Sequence, residues 1–168
     1  AYSNMGVALY RQFKQSDRRN INQFDAAFNN FQKALQINPN LLAADLGISE
    51  LINNSIILVS HNSLAHLRKA AETHLQNCSQ KGKLVATTTY INVYLKSGLH
   101  QIAQEKFLEI ESLIYHTELS ETEITSLYAH LLFNLNYLRD DIAANSKLAK
   151  FIGEQYAKLI AKAYSPIN

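Results

Sequence analysis

Apolar side chains recur every three or four positions along almost the whole chain. Between Ile21 and Leu35, apolar residues return at steps of three and four, and polar residues fill the positions between them. This spacing matches the period of an amphipathic helix, about 3.6 residues per turn. Asn20 is placed to cap such a helix, with Gln23 returning the bond, and the proline that follows cannot continue it. The pattern therefore predicts a helix over 21–37.

The same periodicity predicts helices from end to end. Ser120 and Glu123 have the spacing of a capping box at the start of the seventh helix. Two segments, 56–59 and 87–94, are rich in β-branched or aromatic residues and are strand-like by propensity. We assign both to helices because the repeat pattern described below requires it. The predicted helices are 1–15, 21–37, 41–59, 62–80, 84–96, 99–115, 120–137 and 140–163.

Composition and charge narrow the class of protein. The 168 residues are 47% hydrophobic and 18% charged, too apolar and too weakly charged for a disordered chain. Five glycines and two prolines are few for an all-β protein built from hairpins. The net charge of +2 provides no strong field for nucleic acid or anionic lipid, and no apolar run is long enough to span a membrane. The single cysteine, Cys78, excludes an internal disulfide and favours a cytoplasmic location.

A pattern of small and large residues repeats along the chain. In its first occurrence, small Ala27, large Phe31 and small Ala34 are followed by Pro39, at spacings of four, three and five. This pattern resembles the tetratricopeptide repeat family. In that family, small residues let the two helices of a unit approach, large residues fill the gap, and the proline ends the unit.

The resemblance divides the chain into four long units. The units are about 1–40, 41–83, 84–118 and 119–164. The residues at the family's small position on the first helix of each unit are Gly6, Ser49, Ile91 and Leu132. They are 41 to 43 residues apart, more than the roughly 34 of a standard unit. The resemblance implies an all-α fold, a right-handed α-solenoid of four antiparallel helix pairs over 1–164. Because the first unit starts inside its first helix and 165–168 has the composition of a linker start, we expect a piece of a larger protein.

Tetratricopeptide arrays bind peptides or extended segments in a concave groove lined by the first helix of each unit. The resemblance places four residues of each unit in this groove. They are Asn4, Val7, Tyr10, Arg11, Leu46, Glu50, Asn53, Asn54, Thr88, Asn92, Leu95, Lys96, Ala129, Phe133, Asn136 and Tyr137. Asn side chains donate and accept hydrogen bonds, which suits contact with a peptide backbone without reading its sequence. We expect a row of such side chains, formed by Asn4, Asn53, Asn54, Asn92 and Asn136.

The sequence carries no motif for catalysis or metal binding. His74 and Cys78 lie four residues apart, as metal ligands on a helix do, but two ligands without a second pair do not make a site. Glu105, Glu109 and Glu111 have the spacing of a solvated helix face rather than of catalytic carboxylates. We therefore expect a non-enzymatic chain with no cofactor and no metal.

The expected function is that of a protein–protein interaction or scaffold module whose partner is a protein or peptide. Some tetratricopeptide proteins bind the C-terminal carboxylate of heat-shock chaperones through Lys, Asn and Arg side chains. The matching positions here hold Ser3, Val7 and Gly47, which argues against that clamp. Uncapped terminal repeats would favour self-association.

Two other functions fit a helical repeat. The chain resembles the substrate-recognition arms that bacterial proteins join to a transferase, as in O-linked N-acetylglucosamine transferases, and the catalytic domain would then lie outside this chain. An RNA-binding repeat would need a continuous basic groove, but the groove residues include only two cations, Arg11 and Lys96. We therefore expect no nucleic acid and no membrane among the partners.

Overall fold

The computed structural model describes residues 1–16, 20–56, 61–80, 82–116 and 119–163, and regular structure in these ranges is entirely helical. The α-helices are α1 (Tyr2–Gln15), α2 (Ile21–Ile37), α3 (Leu42–Ile56), α4 (His61–Asn77), α5 (Lys83–Lys96), α6 (His100–His116), α7 (Glu121–Ser126), α8 (Leu135–Leu138) and α9 (Ile142–Ala163). A π-turn (Leu127–Leu131) and a 3₁₀ turn (Leu132–Asn134) join α7 to α8. The predicted all-α class is confirmed. Positions 57–59, 164 and the predicted linker 165–168 lie outside the described residues.

The predicted caps form at two helix starts. The Asn20 side chain accepts hydrogen bonds from the second and third backbone N–H groups of α2, at 3.1 and 3.3 Å. Ser120 and Glu123 form the full capping box of α7. The return bond predicted from Gln23 is wrong, because its side-chain oxygen accepts from the Ser16 hydroxyl instead. That contact ties the end of α1 to the start of α2.

Helices pack mainly on their neighbours along the chain. α1 contacts α2 and α3, α3 contacts α5, and α5 contacts α7 and the π-turn. α2 contacts α4, and α4 and α6 each contact α5. If the segment from α7 to α8 is counted as one bent helix, the extensive contacts join helices one or two places apart. A stack of helix pairs requires packing of this kind.

Phe31, in the middle of α2, packs against the backbones of two other helices. Its fully buried ring contacts Gly6 of α1 and Gly47 of α3. A Cβ atom would lie 2.7 Å from the ring at Gly6 and 2.5 Å from it at Gly47, far closer than carbon atoms pack. On α3 the contact is made by Gly47 rather than by Ser49, the residue that repeat spacing put at the small position.

Two hydrophobic cores share α5. Val93 packs with side chains of α1 to α4, whereas Ile91 and Tyr94 pack with side chains of α6 to α9. Nine of the 14 residues of α5 are buried. A helix buried on both faces has no clear polar side, which explains why its periodicity is weak in the sequence.

The strand-like run in α5 is helical because the helix satisfies its hydroxyls. The side chains of Thr87, Thr88 and Thr89 are almost fully buried. Each hydroxyl donates to the backbone carbonyl four residues earlier, at 2.7, 2.8 and 3.0 Å respectively. No other partner is needed for these buried polar groups, so a β-branched run is accommodated inside the stack. The prediction of a helix over this segment is confirmed.

We expect Gly47→Ala to lower the free energy of unfolding by about 1–3 kcal/mol, because the added methyl group would overlap the Phe31 ring. Gly153→Ala is the matched control, since Gly153 also lies inside a helix but has no atom within 4 Å of an added Cβ. That control should stabilise the protein by up to about 1 kcal/mol, the difference in helix propensity. Urea denaturation followed by circular dichroism measures both changes. Effects of the same sign would contradict the packing described for Phe31.

Candidate functional site

A cavity of about 250 Å³ opens between α3, α5, the π-turn and the 3₁₀ turn. Its lining residues are Asn53, Asn92, Lys96, Ala129, His130, Phe133 and Asn134. Five of these seven are among the residues predicted for the groove, and they come from three different helices. His130 and Asn134 are the two that sequence reasoning missed.

Three Asn side chains in this cavity, Asn53, Asn92 and Asn134, form a hydrogen-bonded series that we call the amide ladder. The Asn134 amide donates to the Asn92 carbonyl oxygen at 2.7 Å, and the Asn92 amide donates to that of Asn53 at 3.4 Å. The Asn53 amide in turn donates to the Thr89 hydroxyl at 3.5 Å. All these bonds point the same way, from the 3₁₀ turn toward α3 and α5. Each amide nitrogen carries two N–H groups, so Asn53 and Asn92 each keep one with no acceptor in the described part of the chain.

The π-turn and the 3₁₀ turn supply four of the residues that line the cavity. Ala129 and His130 lie in the π-turn, and Phe133 and Asn134 lie in the 3₁₀ turn. The Asn134 amide also donates to the His130 carbonyl at 2.7 Å, which fixes its orientation. Sequence reasoning placed Asn136 rather than Asn134 in the groove, and the residue type of Asn134 is the one signal that could have indicated it.

Asn136 and Tyr137 do not line the cavity. The Asn136 carbonyl oxygen accepts a hydrogen bond from the Asn145 amide of α9 at 3.4 Å. The Tyr137 ring lies toward α6, with its centroid 6.3 Å from that of the His100 ring. The row of Asn side chains predicted through Asn136 therefore passes through Asn134 instead.

The remaining predicted groove residues are distributed along α1, α3 and α5. The Asn54 amide donates to the Tyr10 hydroxyl at 2.7 Å, which links α3 to the buried Tyr10 of α1. Thr88 is only 1% exposed, so it is not a groove residue. The exposed members are Asn4, Val7, Arg11 and Glu50, and the half-buried ones are Leu46 and Leu95.

Charged and apolar groups surround the amide ladder. Burial lowers the pKa of the His130 imidazole from its ordinary value of 6.5, and the Glu50 carboxylate partly opposes this shift. Lys96 is exposed and forms no ion pair with the described residues. Phe133 is 80% exposed and provides an apolar surface at the cavity. The site therefore combines hydrogen-bond donors, one cation and an aromatic ring.

A second polar cluster is buried between α3 and α4. Asp45 and His74 are both fully buried, with 3.2 Å between a carboxylate oxygen and Nε2. The Asp45 carboxylate also accepts from the Ser79 N–H at 3.3 Å and from the Ser79 hydroxyl. A Cβ at Gly82 would overlap this carboxylate, and the Gly82 N–H donates to the Ser79 hydroxyl at 2.8 Å. The cluster holds α3, α4 and the start of α5 together.

The residue types of this cluster are those of a hydrolase triad, but its geometry is not. In a triad, the His lies between the Asp and an accessible Ser. Here Asp45 binds Ser79 directly, and none of Asp45, His74 or Ser79 is exposed by more than 3%. A substrate could not reach the Ser79 hydroxyl, so the cluster is structural.

Cys78 lies beside this cluster as a half-buried thiol. Its sulfur donates toward the Leu75 carbonyl at 3.4 Å, and burial raises the pKa of the thiol. A protonated thiol is a weak nucleophile and a weak metal ligand. In the ranges that the structure describes, no three His, Cys, Asp or Glu side chains are grouped to hold a metal ion.

No protein-family model, curated protein or solved structure matches this chain. The resemblance to tetratricopeptide repeats therefore depends on the residue pattern alone. None of the described helices combines the length and the apolarity needed to cross a bilayer.

We expect Asp45→Ala to lower the free energy of unfolding by about 3–5 kcal/mol, because it leaves buried polar groups of His74 and Ser79 without their acceptor. Asp25→Ala is the matched control. Asp25 also pairs with a histidine, His66, at 2.8 Å, but 44% of its side chain is exposed. The control should cost less than about 1 kcal/mol. Chemical denaturation compares the two, and similar losses would show that the buried cluster contributes little.

Proposed function

We propose that this chain is a non-catalytic protein–protein interaction module that binds an extended segment of a partner protein. In this proposal the helices form a right-handed, tetratricopeptide-like α-solenoid of four helix pairs. Its concave face is lined by α1, α3, α5 and the bent helix from α7 to α8. The neighbour-on-neighbour packing of the helices and the contact of Phe31 with two glycines support this arrangement. A cytoplasmic location stays a prediction.

The amide ladder is the observation that carries the proposal. An extended peptide presents backbone carbonyl oxygens and N–H groups along its length. Asn53 and Asn92 each offer a spare N–H to such carbonyls, and Asn134 offers its side-chain oxygen, which accepts no bond from the described residues. These contacts involve only the peptide main chain, while the exposed ring of Phe133 can contact an apolar side chain.

The ladder is also held in place before a ligand arrives. Each Asn side chain is fixed by at least one hydrogen bond to a neighbouring helix or turn. A pre-ordered site loses less conformational entropy when a ligand binds than a flexible one does. This favours a binding role over the alternative that the Asn side chains are merely solvated.

We expect the double substitution Asn92→Ala with Asn134→Ala to weaken peptide binding by about tenfold or more, because two hydrogen bonds of about 1 kcal/mol each are lost. The probe is an end-blocked peptide pool of randomised sequence carrying a rhodamine label, and fluorescence anisotropy measures its affinity. The control is Asn136→Ala, on the same bent helix but directed at α9. It should leave the affinity within about twofold of the unsubstituted protein.

Nuclear magnetic resonance provides the decisive readout for the site. The pool should shift the side-chain NH₂ signals of Asn53 and Asn92 in the ¹⁵N-labelled protein. Circular dichroism should show that the substituted proteins remain folded. If the pool leaves the ladder signals unchanged, the cavity is not a peptide site and the proposal fails.

A further inference from the structure

The cavity beside the amide ladder contains one cation, and its charge balance depends on a histidine. Lys96 from α5 and His130 from the π-turn both line the cavity. Glu50, from α3, is exposed and close enough to His130 to act on it electrostatically. With neutral His130, the charges of Lys96 and Glu50 cancel. With protonated His130, the site carries one net positive charge.

Among the residues that the structure describes, the other elements packed against the π-turn add no cation that contacts His130. α9 contributes Tyr156, whose ring stacks on Tyr128 with 4.3 Å between the centroids. Glu123 of α7 is engaged in the capping box with Ser120. Protonation of His130 therefore changes the net charge of this site from zero to one positive charge.

The uncharged groups in the cavity favour the same ligand chemistry. The free N–H groups of Asn53 and Asn92 donate hydrogen bonds, as does the ammonium group of Lys96. An ionised carboxylate accepts hydrogen bonds only, so it satisfies several of these donors at once. An amide of the same shape satisfies fewer of them and gains nothing from the positive charge.

We propose that this cavity recognises the carboxylate of an acidic side chain within the bound segment, and that it does so preferentially at acidic pH. The proposal rests on the function proposed above, since it specifies which segment the ladder binds. An internal side chain is favoured over a chain end because the ladder lies between α3 and the bent helix. The accessible groove residues of α3 and α1, which are Glu50, Asn54 and Arg11, lie on helices that contact each other beside the cavity. An extended chain would therefore continue from the cavity along α3 and α1.

The direction of the pH effect follows from linkage. Burial disfavours the protonated imidazole, and a bound carboxylate stabilises it. Ligand binding and proton binding therefore assist each other. The affinity for an acidic segment should rise as the pH falls below about 6.5, where an aspartate of the ligand is still ionised.

The test compares two end-blocked, rhodamine-labelled peptide pools that differ only at a fixed central residue, Asp in one and Asn in the other. Fluorescence anisotropy measures their affinities for the whole chain at about pH 7.5 and about pH 5.5. We expect the two pools to bind within about twofold of each other at the higher pH. At the lower pH, the Asp pool should bind about fivefold more tightly than the Asn pool.

Three substitutions assign this preference to its residues. His130→Gln keeps a polar side chain of similar length and should abolish the pH dependence of the Asp preference. Lys96→Gln should remove the Asp preference at about pH 5.5, because Glu50 then balances the protonated His130. Glu50→Gln should produce it already at about pH 7.5, because it removes the opposing negative charge. A third pool, with a free C-terminal carboxylate and no acidic side chain, tests whether a chain end is recognised instead.

The outcomes separate this inference from the proposed function. Equal binding of the Asp and Asn pools at both pH values overturns the acidic preference but leaves peptide binding intact. A preference that persists unchanged in His130→Gln overturns the role of His130, and a preference for the free chain end overturns the internal side chain. Failure of every pool to shift the ladder signals overturns the groove itself.

Discussion

The contact of one aromatic ring with two glycines holds α1, α2 and α3 close together. Phe31 reaches the backbones of α1 and α3 only because Gly6 and Gly47 have no side chains. Close contact of this kind is worth little per atom pair, but a buried ring makes many such contacts at once. It also sets how near the helices lie, and so where the side chains on their other faces meet.

Polar side chains join the helices at two depths. In the interior, the fully buried Asp45 carboxylate binds His74 of α4 and Ser79 of the segment between α4 and α5. Closer to the surface, the amide ladder joins α3, α5 and the 3₁₀ turn but leaves donors unused. The difference in burial separates their roles. The buried hydrogen bonds to Asp45 stabilise the fold, whereas donors left unused at an open cavity are available to a ligand.

Local patterns made the helices predictable, and packing made the site harder to predict. The side chains of Asn20 and Ser120 act on backbone within three residues, so their spacing alone identifies a helix start. The run Thr87–Thr89 was assigned correctly only because the repeat outweighed its propensity. The site is different, because Asn134 rather than Asn136 lines the cavity and both residues lie in the same bent helix. Neither periodicity nor propensity distinguishes these two Asn residues.

Because α5 belongs to both hydrophobic cores, unfolding of one core affects the other. Many repeat arrays lose their ends first, because each unit is bounded by its own interfaces. Here Val93 of α5 packs in one core and Ile91 of α5 in the other. If one core unfolds, α5 loses part of its packing, and the other core is destabilised as well. The unfolding of the two cores is therefore thermodynamically coupled. Denaturation approaches a single cooperative transition, rather than starting at one terminus and proceeding helix by helix.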